Sequence, residues 1–213
     1  MAPTLKLTYF DIRARAESIR LALTIAGIPF EDVRLPRSEW PAFKEKTPYG
    51  QVPTLEITEN GQTFMAAQSE AILRYVARLA PESGLYPVED PLKALRVDEI
   101  LNACEDLGKK ISPTMREPDA EKKVKTRQEL TGPEGELTVF TKKINARLDP
   151  SGYVLGGDKP TIADLELNGA MWWMSSGLLD GVDPAWVNQF DRICKLRDKL
   201  AAHPKVKEWY SKK

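Results

Sequence analysis

Histidine is nearly missing: the 213 residues contain one, His203. A multi-histidine metal site is thereby excluded. A Ser-His-Asp or Cys-His arrangement would have to use this one residue, which precedes Pro204 near the C-terminus. Cysteine is almost as scarce. Cys104 and Cys194 form no C-x-x-C pair and no metal-ligand spacing, and both lie in stretches of helical pattern, so they read as buried free thiols. Net charge is lacking too. The 31 Lys and Arg balance the 31 Asp and Glu, which speaks against a general affinity for nucleic acid or an anionic membrane. No apolar run approaches the roughly 20 residues of a membrane span. The N-terminus reads without an apolar leader; with so few cysteines, this predicts a cytoplasmic protein. If the chain is an enzyme, its chemistry rests on Tyr, Arg, Ser, backbone amides and the ligand itself.

What is present is enough apolar residue, 42% of the chain, to bury a proper core. Residues 4–8 read as a strand. From Arg15 to Ala26 the positions Ile19, Ala22, Leu23 and Ala26 mark one face of a helix, which Gly27 stops. A second strand is expected over 29–35 and a short helix over 40–46. Leu55 and Ile57 alternate as a strand, and Asn60-Gly61 signals a hairpin into a strand over 62–65. Ser69 reads as the N-cap of a helix carrying Ile72, Tyr75, Val76 and Leu79. The fold class is α+β followed by α: a compact unit over 1–80, a proline-rich linker over 81–91, and an all-helical bundle over 92–213. In the bundle, helices are expected over 92–111, 119–148 with an interruption at Gly132-Pro133, 162–176 and 184–202. Thr161 and Asp164 are spaced as a capping box.

Candidate site residues gather in the first unit. Tyr9 stands at a strand exit, beside a helix start and Arg13 and Arg15, where a phenol can stabilise an anion. Val52-Pro53 can be a cis pair that turns backbone groups outward, so that the Val52 amide and carbonyl pair with an extended ligand. Gln68-Ser69 opens a helix whose first-turn amides suit a carboxylate. Trp40 and Lys44, four apart, can offer an indole N–H and an ammonium to a second carboxylate.

Taken in order, Tyr9 and Arg15, Trp40 and Lys44, Gln51-Val52-Pro53, Gln68-Ser69 and the later Lys159-Pro160-Thr161-Ile162-Ala163-Asp164 resemble the cytosolic glutathione transferases of the tyrosine type, most of all the sigma class. The resemblance covers essentially the whole chain. It implies a thioredoxin-like N-terminal domain (βαβ-ββα), a helical C-terminal domain and a homodimer. It also implies detoxification chemistry in which glutathione is the co-substrate and no metal is required. Without a C-x-x-C of its own, the chain needs a thiol that arrives with the ligand.

The resemblance further implies that Tyr9 donates a hydrogen bond to the glutathione sulfur, with Arg15 assisting and Arg13 as a competing candidate. A free thiol has a pKa of about 8.5, and lowering it by about two units requires roughly 2.7 kcal/mol. One charge-assisted hydrogen bond supplies about 1.5–3 kcal/mol, so a nearby cation is a reasonable addition. Trp40, Lys44, Gln51, Val52, Pro53, Gln68 and Ser69 match glutathione-contacting positions. Some relatives carry lysine at position 51, and Gln51 adds no charge there. Asp98, next to Glu99, matches an aspartate that reaches the glutathione amine of the neighbouring subunit. Phe10, Ile12, Ile100, Glu105 and Trp209 are the expected walls for a hydrophobic electrophile. Two other activities are compatible with the scaffold: a prostaglandin-type isomerase, and a ligand carrier or crystallin-like structural protein.

Overall fold

The computed structural model describes residues 2–212. The chain forms two compact units, one running through Tyr86 and taking in the segment from Pro204, the other Pro87–His203.

The first unit is built on a four-stranded sheet of order β2-β1-β3-β4: β1 (Thr4–Phe10), β2 (Glu31–Leu35), β3 (Thr54–Glu59) and β4 (Gln62–Ala67). β1 and β2 run parallel, which requires a crossover, and α1 (Glu17–Ala26) supplies it. β3 is antiparallel to both β1 and β4. The β3–β4 turn is the expected Asn60-Gly61, both residues at positive φ. α2 (Trp40–Lys44) is short, and α3 (Ser69–Leu79) follows β4. Leu5, Leu7 and Leu55 of the sheet are buried, as are Ile19 and Leu23 of α1 and Ile72, Leu73 and Val76 of α3. By the period of two along a strand, Tyr9 points to the same face as Leu5 and Leu7.

Two expected boundaries shift for local reasons. The first helix begins at Glu17 instead of Arg15, because residues 11–16 are held as a loop. The Glu17 amide bonds to Ala14 O at 2.8 Å, and Arg20 Nη1 donates to Ile12 O at 3.2 Å. The first unit also runs past the expected end at 80. Pro81–Ser83 form a 3-10 turn closed by Gly84 in the left-handed region, and Leu85 and Tyr86 are buried.

The second unit is helical. α4 (Pro91–Ile111) is capped by Asp90, whose side chain accepts from Lys93 N, and α5 (Ala120–Thr131) is capped in the same way by Asp119. α6 (Glu136–Arg147) follows the break at Gly132-Pro133. α7 (Ile162–Ser175) starts with the expected capping box: Asp164 Oδ2 accepts from Thr161 N at 2.6 Å. The single helix expected over 184–202 is two pieces. A 3-10 stretch over Pro184–Gln189 ends at Phe190, whose extended backbone (φ −106°) separates it from α8 (Asp191–Ala202).

A last helix, α9 (Pro204–Ser211), was expected within the bundle and belongs instead with the first unit. It packs against α1, and the Trp209 indole lies 6.2 Å from the Phe30 ring, which explains why this segment leaves the bundle. No helix of the described residues is long and apolar enough to cross a membrane.

Candidate active site

One row of backbone pairing organises the site. Thr8 of β1 is opposite Thr54 of β3, and Thr54 is opposite Ala67 of β4. The next residue beyond the row on each strand is Tyr9, Pro53 and Gln68. Three separate candidates thus stand side by side at one end of the sheet. Phe10 pairs with Leu35 at the same end of β2, from which the chain leads to Trp40.

Tyr9 is 7% exposed. Burial pushes its phenol above the ordinary value; the Arg15 charge, a hydrogen bond from the Arg15 backbone N–H, and the charges of Arg20 and Arg37 pull the other way. Burial wins, so the hydroxyl keeps its proton near neutrality and can donate it in a hydrogen bond. The Arg15 N–H polarises that hydroxyl, which strengthens its donation. Arg13 is occupied elsewhere: its guanidinium lies 3.8 Å from the centre of the Tyr210 ring.

The Phe10 ring is tilted on Tyr9 at 5.6 Å and meets Trp40 edge-on at 5.7 Å. Arg37 lies over the Phe10 ring at 5.2 Å. Ile12 is 42% exposed.

Lys44 ends α2, and its stem lies over Gly50: a Cβ there would come within 3.2 Å of Lys44 Cε. Gly50 is at φ 62°, so a side chain would be opposed by the backbone as well. The buried Thr47 ties this stretch together. Its hydroxyl donates to Lys44 O at 2.9 Å and accepts from Gln51 N at 3.1 Å.

The Val52-Pro53 peptide bond is cis. Gln68 sits at φ 74°, where a side chain is rarely found. Ser69, expected as an N-cap, is the first residue of α3; Gln68 holds the cap position, and no side chain caps the helix. No side-chain oxygen therefore takes up the first-turn amides of α3, although Glu70 places a carboxylate in that turn.

In the second unit, Asp98 and Glu99 follow one another on α4. The Glu99 carboxylate is bound by Arg147 Nη2 at 2.6 Å. Ile100 is buried and Glu105 half-buried. The sequence places Trp209 among the electrophile walls. In the structure its indole N–H is donated to Glu17 Oε1 at 2.9 Å, a packing role inside the first unit.

Arg37 and Thr47 are functional candidates that the sequence pattern does not single out. Arg37 sits in an ordinary polar loop. A signal for Thr47 exists: a Thr-Pro pair just past a short helix, where a hydroxyl readily bonds free carbonyls. No group of three or more His, Cys, Asp or Glu side chains that could hold a metal occurs among the described residues.

A thioredoxin-like domain with no dithiol of its own, followed by a helical domain, defines the class of protein. Residues 5–78 match the family model described as "Glutathione S-transferase, N-terminal domain", and residues 105–213 match "Glutathione S-transferase, C-terminal domain". The chain belongs to the glutathione S-transferase family of enzymes. It is 44% identical to glutathione S-transferase 1 of Ascaris suum over 114 residues, 54% of this chain and about half (52%) of that relative's length. It is 31% identical to hematopoietic prostaglandin D synthase of Gallus gallus over 212 residues, 99% of this chain and 97% of that one. The solved structure of a sigma class GST of Fasciola hepatica superposes with a TM-score of 0.80 at 28% identity, covering 99% of this chain and 96% of that one.

Proposed function

We propose that the protein conjugates the glutathione thiolate to hydrophobic electrophiles, with Tyr9 as hydrogen-bond donor to the sulfur and Arg15 as its assisting cation. The observation that carries this reading is Tyr9 itself, a buried, protonated phenol that receives the Arg15 N–H and stands next to the cis Val52-Pro53 bond and the uncapped start of α3. Arg15 is preferred to Arg13 because its charge and its amide both act on Tyr9, while Arg13 lies on Tyr210.

The remaining roles follow from the chemistry of the tripeptide. The Val52 amide and carbonyl pair with its extended backbone. The first-turn amides of α3 and the Ser69 hydroxyl, with Gln68, take one carboxylate. Trp40, Lys44 and Gln51 take the other. Asp98 serves the glutathione amine of the neighbouring subunit in a homodimer. Phe10 and Ile12 flank the electrophile next to Tyr9. A cytoplasmic detoxification role agrees with this chemistry.

The test is retention on immobilised glutathione, followed by turnover of an activated aryl halide. Retention without turnover moves the protein to the carrier reading; absence of retention removes the proposal. Isomerisation of a prostaglandin-type endoperoxide is the second reading, supported by the likeness to the prostaglandin D synthase over nearly the whole chain. A glutathione-dependent assay with such an endoperoxide separates the two.

A further inference from the structure

The loop over 11–16 carries Arg15, and it is tied to the C-terminal helix through one buried carboxylate. Glu17 is 5% exposed. Its Oε2 accepts from Arg20 Nη1 at 3.2 Å, its Oε1 accepts the Trp209 indole N–H at 2.9 Å, and the Tyr210 hydroxyl also donates to it. Burial and this carboxylate together push the Tyr210 phenol well above its ordinary value, so it remains a donor at every pH in which the protein works.

The loop is gripped along its length. Arg13 lies on the Tyr210 ring at 3.8 Å. Arg20, wholly buried, holds Ile12 O at 3.2 Å and Asp32 Oδ1 at 3.0 Å in addition to Glu17. Arg34 Nη1 reaches Asp11 Oδ1 at 3.1 Å. Arg15 lies between the Arg13 and Glu17 anchors, and both of these are held by residues of α9.

We propose that Glu17, clamped by Trp209 and Tyr210 of α9, is a positioning residue that holds the Arg15 backbone N–H and guanidinium on the Tyr9 hydroxyl. The C-terminal helix thereby contributes to thiol activation without touching the thiol. The inference rests on the glutathione reading above. Loosening the clamp lets the Arg15 amide drift from Tyr9, which weakens donation to the sulfur. The rest of the tripeptide is gripped by other parts of the site, so affinity for the protonated thiol form, read at acidic pH, is unaffected.

The experiment compares the parent with Tyr210→Phe, Trp209→Phe, Glu17→Gln and Glu17→Leu, using Tyr9→Phe as the reference. Two quantities are read: the pH profile of the ultraviolet thiolate absorbance of bound glutathione, and kcat and KM for an aryl halide. Tyr210→Phe and Trp209→Phe each remove a single donor and are expected to raise the bound-thiol pKa by about half a unit, about threefold less thiolate at acidic pH. There kcat falls by the same factor, with KM for glutathione constant at that acidic pH, and kcat converges with the parent in alkali. Glu17→Gln keeps an acceptor for α9 and shows a smaller change than Glu17→Leu. Should Glu17→Leu fail to fold, the two aromatic variants still decide.

A thiol pKa unchanged in both aromatic variants, in a parent whose thiolate signal is lost in Tyr9→Phe, overturns the clamp alone. A parent with no thiolate signal overturns the glutathione reading instead.

Discussion

The Thr47 hydroxyl accepts the backbone N–H of Gln51 at 3.1 Å while donating to the carbonyl of Lys44 at 2.9 Å. One small side chain thus fixes the spacing between two residues assigned to the same carboxylate. Thr47→Val keeps the shape and removes both bonds. The expected result is a three- to tenfold rise in glutathione Kd, since one such bond contributes about 0.5–1.5 kcal/mol. Stability falls by about 1 kcal/mol and kcat is nearly unchanged. Calorimetric titration with glutathione and urea denaturation check the two parts separately.

Tyr9→Phe removes the donor without disturbing the ring packing on Phe10. If the hydroxyl lowers the thiol pKa by about two units, the variant loses about a hundredfold of thiolate, and of kcat/KM, at slightly acidic pH. At that pH glutathione Kd changes little, and the deficit shrinks as pH rises towards the free-thiol pKa. Equal rates for variant and parent at acidic pH exclude the role.

Asp98 and Glu99 are separable by parallel substitution. Asp98→Asn is expected to weaken glutathione binding severalfold in the dimer. Glu99→Gln, which breaks an exposed pair with Arg147, costs about 0–1 kcal/mol of stability and leaves affinity unchanged. Titration calorimetry on both proteins, with dimerisation followed by sedimentation, gives the answer. The reverse pattern would assign the contact to Glu99.

Asp164 gives a pH signature to the second unit. Burial pushes its carboxyl up to about 6, against hydrogen bonds from Thr161 and Val154 that favour the ionised form. A folded value above the unfolded one means that the group favours folding most below about pH 4. That contribution is lost as pH rises through about 6. The stability of the parent relative to Asp164→Asn, which cannot titrate, should therefore decline between about pH 4 and pH 6.5 in urea titrations. A flat or rising difference would contradict it.

The legible parts of this fold are those written in neighbouring residues. Asn60-Gly61 specifies its turn, and Thr161 with Asp164 specifies its cap, because all the partners lie within a few positions. Tyr9, Pro53 and Gln68 are each legible in their own segments, but the pairing row that sets them abreast depends on strand register and is not visible in a single segment. Ser69 looked like a cap because a Ser before an apolar helical pattern usually is one; the positive φ of Gln68 displaced the helix start by a residue. Trp209 was the least legible: its partner Glu17 is 192 residues away in the chain, and nothing near it predicts a buried carboxylate. The break at Phe190 was hidden by an apolar spacing that continues across it.

The Thr8, Thr54 and Ala67 row has one more consequence. Tyr9, Pro53 and Gln68 share no side-chain bond to keep them together; their alignment is a matter of counting residues from that row. Exchanging a side chain at any of the three alters what the site can do. Adding or removing a single residue in β1, β3 or β4 would shift one member by about 3.3 Å and turn its neighbours to the opposite face. For this protein, changes of strand length are therefore far more dangerous than changes of spelling.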